Sequence, residues 1–201
     1  MLLHTLLEVR RRSEALIAGL ETEDLGLQGM ADASPPKWHL AHTTWFFDTF
    51  VLQPHLASHT PCDVRWSYQF NSYYEAVGER HPRSERGVLS RPTIREILEW
   101  RAYVDAGLTQ VLANEPTSKL RALVELGLQH EQQHQELLLM DLLDGFSRQP
   151  LEPKNSSKAD LKTRTNEPQW LACEGGVVEI GAEHNSFHFD NETPRHRVWL
   201  D

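Results

Sequence analysis

The chain has 201 residues, of which 39% are hydrophobic and 24% are charged, and this composition supports a packed core and excludes global disorder. Its formal net charge of −9 lacks the basic excess of a typical nucleic-acid-binding protein, so we expect no nucleic-acid partner. No apolar run approaches the roughly 18 residues that a membrane helix requires, and two cysteines, Cys62 and Cys173, fit a reducing compartment, so we expect a cytoplasmic protein without membrane association.

The first half of the chain predicts two helices and a long loop. Apolar residues recur at helical spacing over residues 2–19, which indicates an amphipathic helix. A second helix is expected from about Lys37 to Leu52, after two prolines that can open its first turn. Residues 54–92 contain no long periodic segment but many aromatic residues, and an ordered loop of this length is usually functional.

Two more helices follow that loop. Thr93 can cap a third helix that continues to about Asn114, because Glu96 lies three residues later, in the position that a capping box requires. A fourth helix is expected from about Ser118 to Gly145, with the glycine as its stop signal. Four helices with one long crossover predict a mainly α protein built on a four-helix bundle, a fold that often places metals between facing helices.

The composition changes after residue 146. Residues 147–168 are polar and poor in aromatic residues, which indicates a linker. Residues 169–201 alternate between apolar and polar positions and predict short strands. We therefore expect a helical bundle over 1–146, a linker over 147–168 and the first strands of an incomplete α+β domain over 169–201.

The fourth helix carries the clearest candidate for a metal site. His130 and His134 are four residues apart, so both project from one face of the helix and can bind one metal ion. With Glu131 they also match the His-Glu-x-x-His pattern of zinc peptidases, which keeps zinc hydrolase chemistry open as an alternative. The non-functional interpretation is a solvated polar turn with two surface histidines.

A third ligand is expected from the second helix, which contains His39 and His42. His42 shares the apolar stripe of that helix with Trp38 and Trp45, and it is therefore the stronger candidate, although the local pattern leaves His39 open. Three neutral imidazoles suit zinc or iron equally. Glu131 and Glu136 are interpreted either as carboxylates that orient the histidine rings or as surface charges.

Three segments carry a family resemblance: SPPKWHLAHTTWFFDTFVL, FNSYYEAVGERHPRSERGVLSRPT and HEQQHQELLLMDLL. They resemble the ergothioneine-biosynthesis (hercynylcysteine) sulfoxide synthases, and the helical part is similar to DinB-like bundles, which commonly bind a metal through three histidines. The last segment, GGVVEIGAEHNSFHFDNETPRHRVWLD, resembles the opening of the second domain of that family, which is related to the formylglycine-generating enzyme and has a C-type-lectin-like fold.

The resemblance implies an Fe(2+)- and O2-dependent oxidoreductase. Such an enzyme joins the sulfur of cysteine or γ-glutamylcysteine to the imidazole ring of hercynine, N-α-trimethylhistidine, and oxidises that sulfur to a sulfoxide. The iron ligands of the family fall on His42, His130 and His134, which favours His42 over His39. Gln133 matches a glutamine that contacts the hercynine imidazole.

The resemblance also assigns roles in the long loop. Tyr73 and Tyr74 match loop tyrosines that act at the active site, where a phenol can donate a proton; the alternative for both is packing within the loop. Arg83, Arg86 and Arg91 resemble arginines that hold the carboxylate of the thiol substrate, a task that suits bidentate pairing. On local evidence alone, each arginine would be a surface charge.

Other functions remain open on the sequence. A DinB-like divalent-metal-dependent thiol transferase needs only the bundle, and an inactive metal-binding fragment would have the same composition. Close relatives in the ovothiol and selenoneine pathways share the architecture. Because members of the synthase family continue through a complete second domain, we expect the part ending at Asp201 to lack some of the substrate-binding residues. The sequence leaves the oligomeric state open.

Overall fold

The computed structural model of the chain describes residues 1–61, 63–72, 78–151, 153, 169–183 and 187–201. It divides into two compact units, Met1–Ser157 and Lys158–Asp201. Tyr73 and Tyr74, to which the family resemblance assigns roles at the active site, lie outside the described residues, as does most of the predicted linker.

Four long helical segments form the first unit, as the sequence predicts. They are α1 (Leu2–Ile17), α2 (Pro36–Phe46), α5 (Ile94–Val111) and α6 (Ser118–Ser147). Helix α2 contacts both α5 and α6, and α1 packs mainly on α6. The shared core consists of apolar side chains from all four segments, so burial of apolar area is the main force that holds the bundle together.

Helix α2 lies at the centre of this unit. Of its eleven residues, only Lys37 is not buried, so other elements surround the helix on all sides. It continues without a break as a π-helical segment, Phe47–Leu52, and a last turn, α3 (Gln53–His55). The predicted helix over 37–52 is therefore helical throughout, but its second half is wound more loosely than an α-helix.

The long loop between α3 and α5 contains local structure that its sequence does not predict. A short helix, α4 (Arg65–Phe70), packs against α2, and a 3-10 segment follows at Arg83–Val88. The loop ends at Thr93, whose hydroxyl accepts from the backbone N–H of Glu96 while the Glu96 carboxylate accepts from the backbone N–H of Thr93. The predicted capping box is confirmed.

The second unit contains two antiparallel strands, β1 (Gly176–Ile180) and β2 (His196–Leu200), with Val178 opposite Val198. Val177 and Trp199 are paired and largely exposed, at 61% and 67%. The prediction of a mainly α protein followed by short strands is confirmed. Within the described ranges, no helix is both long and apolar enough to cross a membrane.

Candidate metal centre

Three histidine side chains from two helices converge inside the bundle. His42 comes from α2, and His130 and His134 come from adjacent turns of α6. Each offers a ring nitrogen, and these nitrogens all lie within 4.8 Å of one another. The structure thus brings together the three histidines that the sequence selects, including the pair that helical spacing alone places on one face.

Backbone and aromatic contacts fix the ring of His42. Its Nδ1 lies 2.6 Å from the carbonyl oxygen of Phe70, which can only accept, so Nδ1 carries the proton and Nε2 presents a lone pair. The ring stacks on Trp38 with centroids 4.6 Å apart and an interplanar angle of 13°. Trp38 Nε1 in turn donates to the carbonyl oxygen of Gln69. The end of α4 therefore orients the ligand that α2 supplies.

His130 meets His42 through its ring nitrogen. The two Nε2 atoms are 3.2 Å apart, a separation that suits two ligands of one ion, each about 2.1 Å from it. His130 Nδ1 is buried and has no hydrogen-bond partner within the described residues. One turn earlier, Gly127 allows close packing, since an added Cβ there would lie 2.7 Å from Phe46 Cε1 and 2.6 Å from Phe47 Cε1.

A further histidine, His39, contacts the ring of His134. Its Nδ1 lies 2.9 Å from Nδ1 of His39, whose Nε2 lies 3.1 Å from Oδ2 of Asp141. His39 is therefore close to the cluster but is not one of the three residues whose nitrogens converge. The sequence analysis missed Asp141, although its position seven residues after His134, two helical turns along the same face, is a usable signal.

Burial keeps these imidazoles uncharged. It lowers the pKa of His130 to about 4, and it lowers the pKa values of His42 and His134 well below the usual value, with a further contribution from their histidine neighbours. At neutral pH each ring is therefore neutral and retains a lone pair. Three neutral imidazole donors fit a divalent transition metal such as zinc or iron.

A cavity of about 450 Å³ opens onto the histidines, a volume within the usual range for small-molecule sites. Gln133, Arg83 and Arg86 line it, as the family resemblance would require. Arg91 lies at a different cavity, beside Trp66 and Glu96. The cavity also has residues that the sequence analysis did not select, namely Asp32, Ser34, Ser72, Leu137 and Asp141.

Arg86 lines this cavity, and contacts with three residues hold its side chain in place. The residue is buried, its Cζ lies 3.4 Å from the centroid of Trp38, and its Nη1 donates to Ser34 Oγ at 2.8 Å. Nη2 donates to Ser72 Oγ at 3.3 Å. The guanidinium therefore stacks on the same indole that covers His42, which ties the 3-10 segment of the long loop to the metal centre.

Glu131 faces away from the histidines, into a buried charge network. Its carboxylate accepts from Ser13 Oγ at 2.7 Å, from Arg10 Nη1 at 3.0 Å and from Arg101 Nη2. Burial raises the pKa of Glu131, but Arg101 and Arg10 outweigh that effect and hold it below the usual value. A carboxylate paired with two arginines cannot act as the general base of a zinc peptidase, so the His-Glu-x-x-His interpretation is wrong. Glu136 is exposed.

The fold and the site define a helical-bundle protein in which three histidines that could hold a metal ion line a cavity. The sequence matches the DinB superfamily over residues 5–138, and the chain belongs to that superfamily. Its members bind divalent metals in general, which agrees with the histidine cluster found here. No curated protein matches the chain significantly.

Proposed function

We propose that the chain acts in an iron(II)- and O2-dependent sulfoxide synthase that forms a C–S bond between hercynine and cysteine or γ-glutamylcysteine. The observation that carries the proposal is the cavity, which is lined by the three neutral histidines together with Gln133, Arg83 and Arg86. The motifs that resemble the sulfoxide synthases include these residues.

The side chains have distinct tasks in this proposal. His42, His130 and His134 hold the iron, which supplies a site where thiolate and O2 meet and where electrons are transferred. The amide of Gln133, one residue before the last ligand, hydrogen-bonds the imidazole of hercynine. Arg83 and Arg86 neutralise the carboxylate of the thiol substrate, and the fixed orientation of Arg86 lowers the entropy cost of that pairing.

The chemistry balances without a further reductant. A C–H bond of the hercynine imidazole and the S–H bond of the thiol are broken, and a C–S bond is formed. One atom of O2 becomes the sulfoxide oxygen, and the other leaves as water with the two hydrogens. Carbon and sulfur together lose four electrons, which is the number needed to reduce O2 completely.

The test is an assay of the anaerobically purified, Fe(II)-loaded protein, once as the 201-residue chain and once extended through a complete second domain, with hercynine, O2 and either thiol. We expect the sulfoxide product by mass spectrometry, with one atom of ¹⁸O retained from ¹⁸O2. Gln133→Leu should raise the KM for hercynine while leaving iron binding unchanged. Gln132→Leu is the matched control, since Gln132 is exposed like Gln133 but is not among the residues that line the cavity.

Two results would contradict the proposal. One is the absence of sulfoxide from both the chain and its extended version when each holds one equivalent of iron. The other is equal KM values for the two glutamine variants, which would remove Gln133 from the hercynine site.

A second candidate function is a divalent-metal-dependent thiol transferase. The superfamily match favours it, because the match ends at residue 138, within the helical bundle, and a thiol transferase of this kind needs only the bundle. In such an enzyme the metal would activate the thiol as a thiolate, and no oxidation would occur. The same protein loaded with Zn(II) and assayed anaerobically for thiol alkylation separates the two, since the sulfoxide synthase requires both iron and O2.

A further inference from the structure

The contacts behind His134 form a chain that ends on a carboxylate. His134 Nδ1 lies 2.9 Å from His39 Nδ1, and His39 Nε2 lies 3.1 Å from Asp141 Oδ2. The same Asp141 oxygen accepts from the backbone N–H of Ser34 at 2.8 Å. A loop N–H, a carboxylate and two imidazoles are therefore linked in series, from the start of α2 to the metal centre.

The Asp141 end of this series of hydrogen bonds determines which ring nitrogens carry the protons. The Asp141 carboxylate accepts, so His39 Nε2 carries a proton and donates it. A neutral imidazole protonated at Nε2 has a lone pair at Nδ1, and the 2.9 Å between the Nδ1 atoms of His39 and His134 requires one of the two to accept. His39 Nδ1 must then accept, so His134 Nδ1 donates, and the lone pair of His134 is at Nε2.

We infer that His39 and Asp141 are positioning residues that fix the tautomer and the ring orientation of His134 as a metal ligand. The inference rests on the metal site of the proposed function, but it does not depend on which metal or reaction that site supports. Metal-bound histidines generally donate their second ring N–H to a carboxylate or carbonyl. His42 does so to Phe70, and His134 does so through a second histidine.

This role explains why His39 is buried beside the cluster without joining it. A histidine in an apolar core has to satisfy both ring nitrogens, and His39 does so with one ligand and one acid. Its contribution to metal binding should therefore be partial. Removing a ligand abolishes stoichiometric binding, whereas removing a partner of this kind usually weakens metal affinity by about 10–100-fold.

The experiment is a Co(II) titration against a chromophoric chelator, with the visible absorption of bound Co(II) as a second readout. We expect His39→Leu to weaken Co(II) binding about 10–100-fold and to change the absorption spectrum. His39→Asn should restore much of the affinity, because the amide oxygen can take the place of Nδ1 and accept from His134. A role in packing alone predicts the reverse order, since leucine is the better apolar substitute.

Asp141→Ala should produce a smaller loss than His39→Leu, in the same direction. Its control is Asp144→Ala, one turn further along α6, where the carboxylate pairs with Arg148. Chemical unfolding of each metal-free variant establishes that it is folded before the titration.

The outcomes separate this inference from the proposed function. Tight Co(II) binding by the parent chain with no change in His39→Leu would overturn the positioning role and leave the metal site intact. Failure of the parent chain to bind one equivalent of Co(II) would overturn the metal site itself and the inference with it. Loss of stoichiometric binding in both His39 variants would make His39 a ligand, which also contradicts the positioning role.

Discussion

Two faces of helix α6 bury polar side chains in opposite ways. His130 and His134 point towards α2, and Glu131 and Gln135, each one residue later, point towards α1. Both pairs have the same i, i+4 spacing. Glu131 and Gln135 are buried, whereas His130 and His134 are half-buried and line the cavity. The two pairs differ in which groups satisfy their polar atoms.

The Glu131 face is completed by the protein itself. Gln135 Nε2 donates to the carbonyl oxygen of Val9 at 2.8 Å, and Glu131 is neutralised by Arg10 and Arg101. On the histidine face, neutral nitrogens converge on one another, and lone pairs 3.2 Å apart do not satisfy each other unless one carries a proton or an ion lies between them. A buried network whose charges balance therefore stabilises the fold, whereas uncharged ring nitrogens that converge indicate a bound metal ion.

Glu131→Gln is expected to have the largest effect on stability. The amide retains the shape of the side chain but leaves Arg10 and Arg101 facing a neutral group in the core, and breaking a buried ion pair in this way costs about 3–5 kcal/mol. Urea unfolding of the metal-free protein measures the loss. Glu136→Gln, at an exposed position of the same helix, should stay within about 0.5 kcal/mol of the parent. Equal effects of the two substitutions would contradict a structural role for the charge network.

Metal binding should have the next largest effect, and only through the histidine face. At a free Co(II) concentration about 100 times the Kd, the free energy of unfolding should rise by about 2.7 kcal/mol. His130→Ala removes one of the three ligands and should abolish this increase. If the variant and the parent chain gain the same stability from Co(II), the ion binds elsewhere and the comparison between the two faces fails.

Acid should destabilise the metal-free protein through its buried, uncharged histidines. The folded state holds His130 with a pKa of about 4, whereas an unfolded histidine has a pKa of about 6.5, so the unfolded state binds more protons between these values. Stability is then fully present above pH 6.5 and declines as the pH falls towards 4, by up to about 1.4 kcal/mol per pH unit for each such histidine.

Unfolding curves from pH 7 to 5.5 measure this slope, and His130→Asn should make it shallower by the contribution of one group. A slope that is unchanged in the variant would mean that His130 is not held neutral in the folded protein.

Local pattern was sufficient for most of the bundle. Helical periodicity and the Thr93 capping box placed the four main helices within a few residues of their observed bounds. The same periodicity put His130 and His134 on one face. The apolar stripe of α2 favoured His42 but left His39 open, and only the family resemblance selected His42. These features depend on residues within about one or two helical turns, which a single sequence records directly.

Contacts between residues far apart in the sequence could not be predicted in the same way. The partners of Glu131 are 30 and 121 residues away, so the sequence could not distinguish a buried carboxylate from a surface charge or a catalytic base. The position of His39 between His134 and Asp141 depends on how α2 and α6 are rotated against each other. The π-helical winding of Phe47–Leu52 has no local signal that we recognise.

The smallest effect should come from the cap of α5, which lies outside both clusters. The Thr93 hydroxyl satisfies the backbone N–H of Glu96, and replacing a threonine cap with alanine costs about 1 kcal/mol. Thr93→Ala should therefore lower the free energy of unfolding by about that amount, and Thr93→Ser should keep most of it. Neither change should alter Co(II) affinity, because among the described residues the hydrogen bonds of the Thr93 side chain join it only to Glu96. A loss of metal affinity in Thr93→Ala would show that metal binding by the histidines depends on the overall stability of the bundle. The distinction between the Glu131 face, which stabilises the fold, and the histidine face, which binds a metal, would then be wrong.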